Sequence, residues 1–135
     1  MTYFELDRTI KDVFGDIPMV NSVYNDSMEW QTNKDVRYVS VAFDLQSSSV
    51  TDGFASYTFY FVCGDVSMDD ESDRISHYSQ LMGILYDGLQ QLGDIEDIEI
   101  DETINFNFAS IKYMDVLDVC TCGMQITVPM TIDCE

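Results

Sequence analysis

Two runs decide the fold: Val36-Arg37-Tyr38-Val39-Ser40-Val41-Ala42-Phe43-Asp44-Leu45 and, eight residues later, Phe54-Ala55-Ser56-Tyr57-Thr58-Phe59-Tyr60-Phe61-Val62-Cys63. In the first, Arg37, Val39, Val41, Phe43 and Leu45 alternate with Tyr38, Ser40, Ala42 and Asp44. In the second, Ala55, Tyr57, Phe59, Phe61 and Cys63 alternate with Ser56, Thr58, Tyr60 and Val62. A period of two is that of a half-buried strand, and aromatic and β-branched residues suit a pleated, partly covered surface. The pair predicts an antiparallel hairpin. Its connector, Gln46-Ser47-Ser48-Ser49-Val50-Thr51-Asp52-Gly53, reads as a mobile polar tip longer than a two-residue turn requires. Long ordered hairpin loops are more often functional than neutral, which makes Ser47, Ser48, Ser49, Val50 and Asp52 candidate functional residues.

On the N-terminal side, Phe4, Leu6, Ile10, Val13 and Phe14 trace a helical face that Gly15 and Pro18 close. Residues 21–35 hold Asn-Asp-Ser and Thr-Asn-Lys-Asp clusters around Met28 and Trp30, which predicts a loop with apolar anchors and room for a short strand. On the C-terminal side, Asp69-Asp70-Glu71-Ser72-Asp73 places anions where the positive end of a helix dipole favours them. Ile75, Tyr78, Met82, Leu85, Leu89 and Leu92 follow at helical spacing, and Gly93 is the expected left-handed stop. A third strand carries Ile104, Phe106 and Phe108 on one face. The last places Met124, Ile126, Val128, Met130, Ile132 and Cys134 inward, with Pro129 marking an edge or an interrupted neighbour. The expectation is a single α+β domain over residues 1–135, in the order α-β-β-α-β-β. Its antiparallel sheet of about four strands has helices packed on one face.

Composition narrows the function. Twenty-five Asp and Glu face six Lys and Arg, a net charge of -19, yet 46% of the residues are apolar and 13% aromatic, so the charge belongs to a chain with ample core. Such a surface has no counterion-release gain to offer DNA, RNA or anionic lipid. Residues 1–8 lack a basic, apolar leader pattern, and no run approaches about eighteen apolar residues. The reading is a soluble chain without an export signal, its four cysteines reduced thiols of intracellular origin, with no membrane partner.

Chemistry-bearing motifs are sparse. The one histidine, His77, sits beside Ser76 on the main helix, where adjacent residues diverge, so it reads as an exposed structural residue and not as a general base. There is no Gly-x-Ser-x-Gly elbow, no phosphate-binding Gly-x-x-x-x-Gly-Lys and no Gly-x-Gly-x-x-Gly. Cys120 and Cys122 share one face of a strand with Cys134, and Cys63 lies on another element. The spacing is not that of zinc knuckles, so these four read as core fillers. The acidic run at 65–73 has a helix-dipole explanation and does not match a calcium loop. The run Asp94-Ile95-Glu96-Asp97-Ile98-Glu99-Ile100-Asp101-Glu102 has no such local reason, since like charges so close repel. The expectation is a protein that is not an enzyme and holds no metal or cofactor. An enzyme using divalent ions on facing carboxylates ranks last.

The second half also carries a family likeness. Arg74-Ile75-Ser76-His77-Tyr78-Ser79-Gln80-Leu81-Met82-Gly83-Ile84-Leu85-Tyr86-Asp87-Gly88-Leu89, a strand over 104–111, and Asp118-Val119-Cys120-Thr121-Cys122-Gly123-Met124-Gln125-Ile126-Thr127-Val128-Pro129-Met130 resemble the small tail-terminator or neck proteins of tailed bacteriophages, in particular those infecting Bacteroidetes. The likeness spans the pattern of residues 36–134. Met124 departs from it, an aromatic often following that glycine. The resemblance implies a virion protein, assembled in the host cytoplasm, that forms a homo-oligomeric ring, usually a hexamer, at the head–tail junction. It would end the tail tube, meet a neck or connector protein, catalyse nothing and let viral DNA pass without specific binding. Asp94, Glu96, Asp97, Glu99, Asp101 and Glu102 are then candidate lumen-facing residues, and the hairpin a candidate contact with the next subunit or the tube. The rival reading is an acidic monomeric binding module, such as a DNA mimic.

Overall fold

The computed structural model describes residues 1–26, 30, 36–67, 71–112 and 116–130. Met28, the Thr-Asn-Lys-Asp cluster at 32–35, Asp69, Asp70, Ile132 and Cys134, all singled out above, lie outside the described residues, as do the side chains of Glu71, Ser72 and Asp73. The elements run α1 (Tyr3–Gly15), β1 (Ser22–Tyr24), β2 (Ser40–Thr51), β3 (Phe54–Val66), α2 (Glu71–Gly93), β4 (Glu99–Ile100), β5 (Phe106–Lys112) and β6 (Val116–Pro129).

The α+β class is as expected, but the sheet is larger and mixed. It has six strands in the order β1-β2-β3-β6-β4, with β5 also paired to β6, and β1 runs parallel to β2. The two extra strands span three and two residues, too short for alternation to register in the sequence. Residues 25–39 are long enough to carry the chain back, so that β2 starts in the same direction as β1.

The hairpin tip also differs from the expectation. Asp52 and Gly53 have φ of 52° and 83°, and Thr51 pairs directly with Phe54, so the turn is the two-residue type with both central residues left-handed. Asp-Gly supplies that geometry cheaply, and the serine-rich stretch continues as strand instead of forming a loop. A bulge between Leu45 and Ser47 absorbs Gln46, and beyond it Ser48 and Val50 occupy the helix-side face.

Helix α1 begins with a capping box. The Glu5 N–H donates to Thr2 Oγ1 and the Thr2 N–H to Glu5 Oε1, each at 3.2 Å. Leu6, Ile10 and Phe14 are buried on one face. In α2 the buried stripe is Leu81, Ile84, Leu85, Leu89 and Leu92, while Ile75 is 67% exposed, so the stripe is rotated from the one expected. Gly88 lets the helices meet: a Cβ there would overlap the Phe14 ring, 2.6 Å from its Cδ1 and Cζ. Gly93 is not left-handed, contrary to expectation. It admits Ile100, whose Cδ1 would lie 3.1 Å from a Cβ, and the left-handed residue in this connector is Asp97 (φ 73°).

Both helices cover one face of the sheet. Their buried residues join Val41, Phe43, Phe59, Phe61, Cys63, Cys120, Cys122, Met124, Ile126 and Val128 in the main core. A smaller cluster on the other face gathers Trp30, Ala42, Val62, Leu117 and Val119. The Trp30 Nε1–H donates to Ser40 Oγ at 2.5 Å, and Gly64 leaves room for the indole, Cζ2 of which would be 2.6 Å from a Cβ. In β6 the expected inward set holds at Met124, Ile126 and Val128, whereas Met130 is exposed past the strand's end. Beside Pro129 the outer neighbour is interrupted, β4 ending opposite Thr127, so the missing N–H costs no ladder bond. Its carbonyl accepts from the Met1 ammonium at 2.9 Å.

Candidate functional site

Register brings the two sets of candidate residues to one end of the sheet. Glu99 pairs with Thr127, which pairs with Ser56, two residues from the turn, so β4 lies level with the hairpin tip. The sets occupy opposite edges, separated by β3 and β6. Three strand spacings of about 4.8 Å place β2 and β4 about 14 Å apart. Asp94, Glu96, Asp97, Glu99, Asp101 and Glu102 are all exposed, while Ile98 is buried and Ile95 and Ile100 pack partly against the core. Backbone bonds from Asp94 N–H to the Gln90 carbonyl (3.1 Å) and from Ile98 N–H to the Ile95 carbonyl (3.1 Å) wind the segment so that the isoleucines anchor it and the acids face outward. This local account of the run was not visible in a count of its charges.

Ser47, Ser48, Ser49, Val50 and Asp52 are exposed as well, the first four along the distal half of β2. Strand β1 covers β2 only at Ser40, Val41 and Ala42. Among the described residues no strand pairs with the outer edge of β2 from 43 to 51, nor with the outer edge of β5. Starting from the tight turn, hydrogen-bonded and non-hydrogen-bonded pairs alternate, so Thr51, Ser49 and Ser47 bond to β3 while Val50 and Ser48 aim their N–H and C=O groups outward. Such an edge accepts another strand, and proteins commonly protect one with charge or proline. Here residues 43–51 carry a single acid, Asp44, and β5 carries none.

At the opposite end of the sheet lies a cluster that sequence reading missed. His77, expected to be exposed, is 2% exposed. Its Nδ1 is 2.8 Å from Asp118 Oδ2 and its Nε2 3.0 Å from Asp65 Oδ2. Asp118 is fully buried, and its Oδ1 also accepts from the hydroxyls of Ser110 (2.7 Å) and Ser67 (2.9 Å), with Arg74 Nε at 3.6 Å. Tyr78 OH lies 3.0 Å from Ser110 Oγ; since the serine proton is committed to Asp118, the phenol donates. Burial pushes the imidazole pKa down, but the hydrogen bonds and charges of Asp118 and Asp65 outweigh it and hold the pKa above its ordinary 6.5. The signal was present: His77 precedes Leu81, Leu85 and Leu89 at intervals of four, and Asp118 and Asp65 share strand parity with the inward Cys120 and Cys63.

Both imidazole nitrogens are engaged and the ring is enclosed, so a substrate atom has no approach to it. Cys63, Cys120 and Cys122 are buried free thiols, and burial pushes Cys120 and Cys122 up to about 12 and Cys63 well above its usual value. They fill core space as neutral groups. Among the described residues no three His, Cys, Asp or Glu side chains converge as metal ligands, and no helix is long and apolar enough to cross a membrane.

No family model matches this chain, and no curated protein does.

Proposed function

We propose that this chain is a structural ring subunit of a tailed-phage head–tail junction, a tail terminator or neck ring that stops the tube and lets DNA pass along acidic walls. The observation that carries the reading is the division of the surface. The chain has a net charge of -19, yet two open stretches of sheet edge among the described residues, β2 from 43 to 51 on one side and β5 on the other, carry a single acid between them, the acidic run around β4 lying farther along that second side. Like-charged copies repel, so copies of this chain can approach only where acid is scarce. An edge on each side of the same sheet is the arrangement that heterologous pairing uses, each copy giving one edge and accepting the other, and such contacts form a ring when the rotation closes.

The exposed acids at 94–102 fit the same reading. A passage lined by carboxylates denies DNA the counterion release on which binding depends, so the polymer slides without adhering. The sequence likeness to terminator and neck proteins supports a position in the virion with the tube on one side and the connector on the other. Replacing Asp94, Glu96, Asp97, Glu99, Asp101 and Glu102 with Asn or Gln tests it. Rings should assemble as before while genome ejection slows; an ejection rate equal to that of the unaltered virion counts against the acidic passage.

A further inference from the structure

We infer that His77, gripped between Asp118 and Asp65, is a protonation-dependent latch that fixes the N-terminal half of α2 to the sheet and releases it when the imidazole loses its proton. Both partners are carboxylates, which accept hydrogen bonds and donate none when ionised, whereas a neutral imidazole has only one N–H. With both carboxylates ionised, as Asp118 accepting two hydroxyls implies, contacts at 2.8 and 3.0 Å on the two ring nitrogens can both be hydrogen bonds only in the imidazolium. With His77 charged, the two carboxylates are balanced by the imidazolium and Arg74. With it neutral, an excess negative charge remains in a buried site and one nitrogen lone pair faces a carboxylate oxygen.

The groups facing the imidazole come from every element packed there: Asp65 from the end of β3, Ser67 just beyond it, Ser110 from β5, Asp118 from β6, and Arg74 and Tyr78 from α2 itself. Asp118 is held by two hydroxyls and cannot retreat. Asp65, partly exposed at the sheet's rim, is the contact that yields.

The consequence is local because α2 is anchored in two ways. From Leu81 onward it is held by fully buried leucines and by the close approach of Gly88 to Phe14. Before Leu81, among the described residues, Tyr78 packs on Phe108 with ring centroids 5.3 Å apart, while Ile75 faces water. The first turns therefore depend on the polar grip, and weakening it opens them while the rest of the helix stays docked.

Two readouts on the intact protein test this: imidazole nitrogen shifts across a pH titration, and amide hydrogen exchange, corrected for the intrinsic pH effect, compared between residues 75–80 and 84–92. The latch predicts that His77 titrates above its ordinary value. Exchange at 75–80 should rise at least about tenfold as it does so, with 84–92 unchanged. His77→Gln should give fast exchange at 75–80 at every pH. Asp65→Asn, which keeps the Asp118 contact and does not rely on His77→Gln folding, should lower the titration point and shift the opening with it. Equal protection of 75–80 on both sides of the titration, equal loosening of both segments, or an imidazole that is neutral at pH 6.5 would each overturn the inference.

Discussion

Ser48→Pro separates folding from assembly at a single backbone group. In the register set by the Asp52–Gly53 turn, the Ser48 N–H points away from β3 toward the open edge, so removing it breaks no bond within the subunit. Proline also demands extended backbone at the preceding residue, which Ser47 already has as part of β2. The cost to the isolated subunit is thus expected within about 0.5 kcal/mol, as for substitutions away from buried features. In a ring built through this edge, each interface loses one hydrogen bond, a net of about 1 kcal/mol. The pyrrolidine ring also intrudes where the neighbouring backbone would lie, about 4.8 Å away. Over the six interfaces of the hexamer that the family likeness implies, the hydrogen bonds alone sum to about 6 kcal/mol, or about four powers of ten in the closure constant. Sedimentation velocity on the variant and parent, with a urea titration of each, reads both quantities. The expected result is an unchanged unfolding midpoint with rings lost at concentrations where the parent is fully assembled. Rings of parental stability in Ser48→Pro would refute the assignment of this edge to the subunit interface.

Gly88→Ala should destabilise the fold by about 2 kcal/mol in urea titrations. The new methyl overlaps the buried Phe14 ring, and overpacking of about 3 kcal/mol outweighs a helix-propensity gain of about 1 kcal/mol; a gain in stability would show that the helices do not meet there. Because the folded His77 pKa lies above the unfolded value near 6.5, its contribution is complete below pH 6.5 and fades as pH rises through the folded value. Urea midpoints should therefore fall across that window in the parent but show no such step in His77→Gln. Ring stability should rise with added salt, since screening relieves repulsion between subunits of net charge -19; dissociation promoted by salt would point instead to interfaces held by ion pairs.

What the sequence made legible was whatever repeats. The alternation at 41–45 and 54–63 and at Met124, Ile126 and Val128 located three long strands, and the leucines of α2 and the Leu6–Ile10–Phe14 face located the helices. What it hid depends on single residues or on partners far along the chain. Strand β1 falls in the stretch read as having room for a short strand, but its bounds, and the existence of β4, are set by pairing and not by their own pattern. The hairpin connector looked like a loop because serine is a weak strand former, yet an Asp-Gly pair at its end fixes a tight turn and draws the serines into the ladder. The burial of His77 follows its four-residue spacing to Leu81 and not its adjacency to Ser76, and its role needs Asp65 and Asp118, brought to one place only by the antiparallel pairing of β3 and β6. Of the candidate site, exposure of the acidic run and of the hairpin residues was foreseeable. Their convergence at one end of the sheet follows from β4, which periodicity could not reveal.

If the acid-poor edge stretches of this sheet join copies of the chain into a closed annulus, native mass spectrometry of the purified protein over a concentration series at moderate salt should show a single assembly of several subunits in equilibrium with monomer and without larger open oligomers. Six is the number that the likeness implies. A chain that stays monomeric at the highest concentrations would contradict the annulus and favour the acidic DNA-mimic reading.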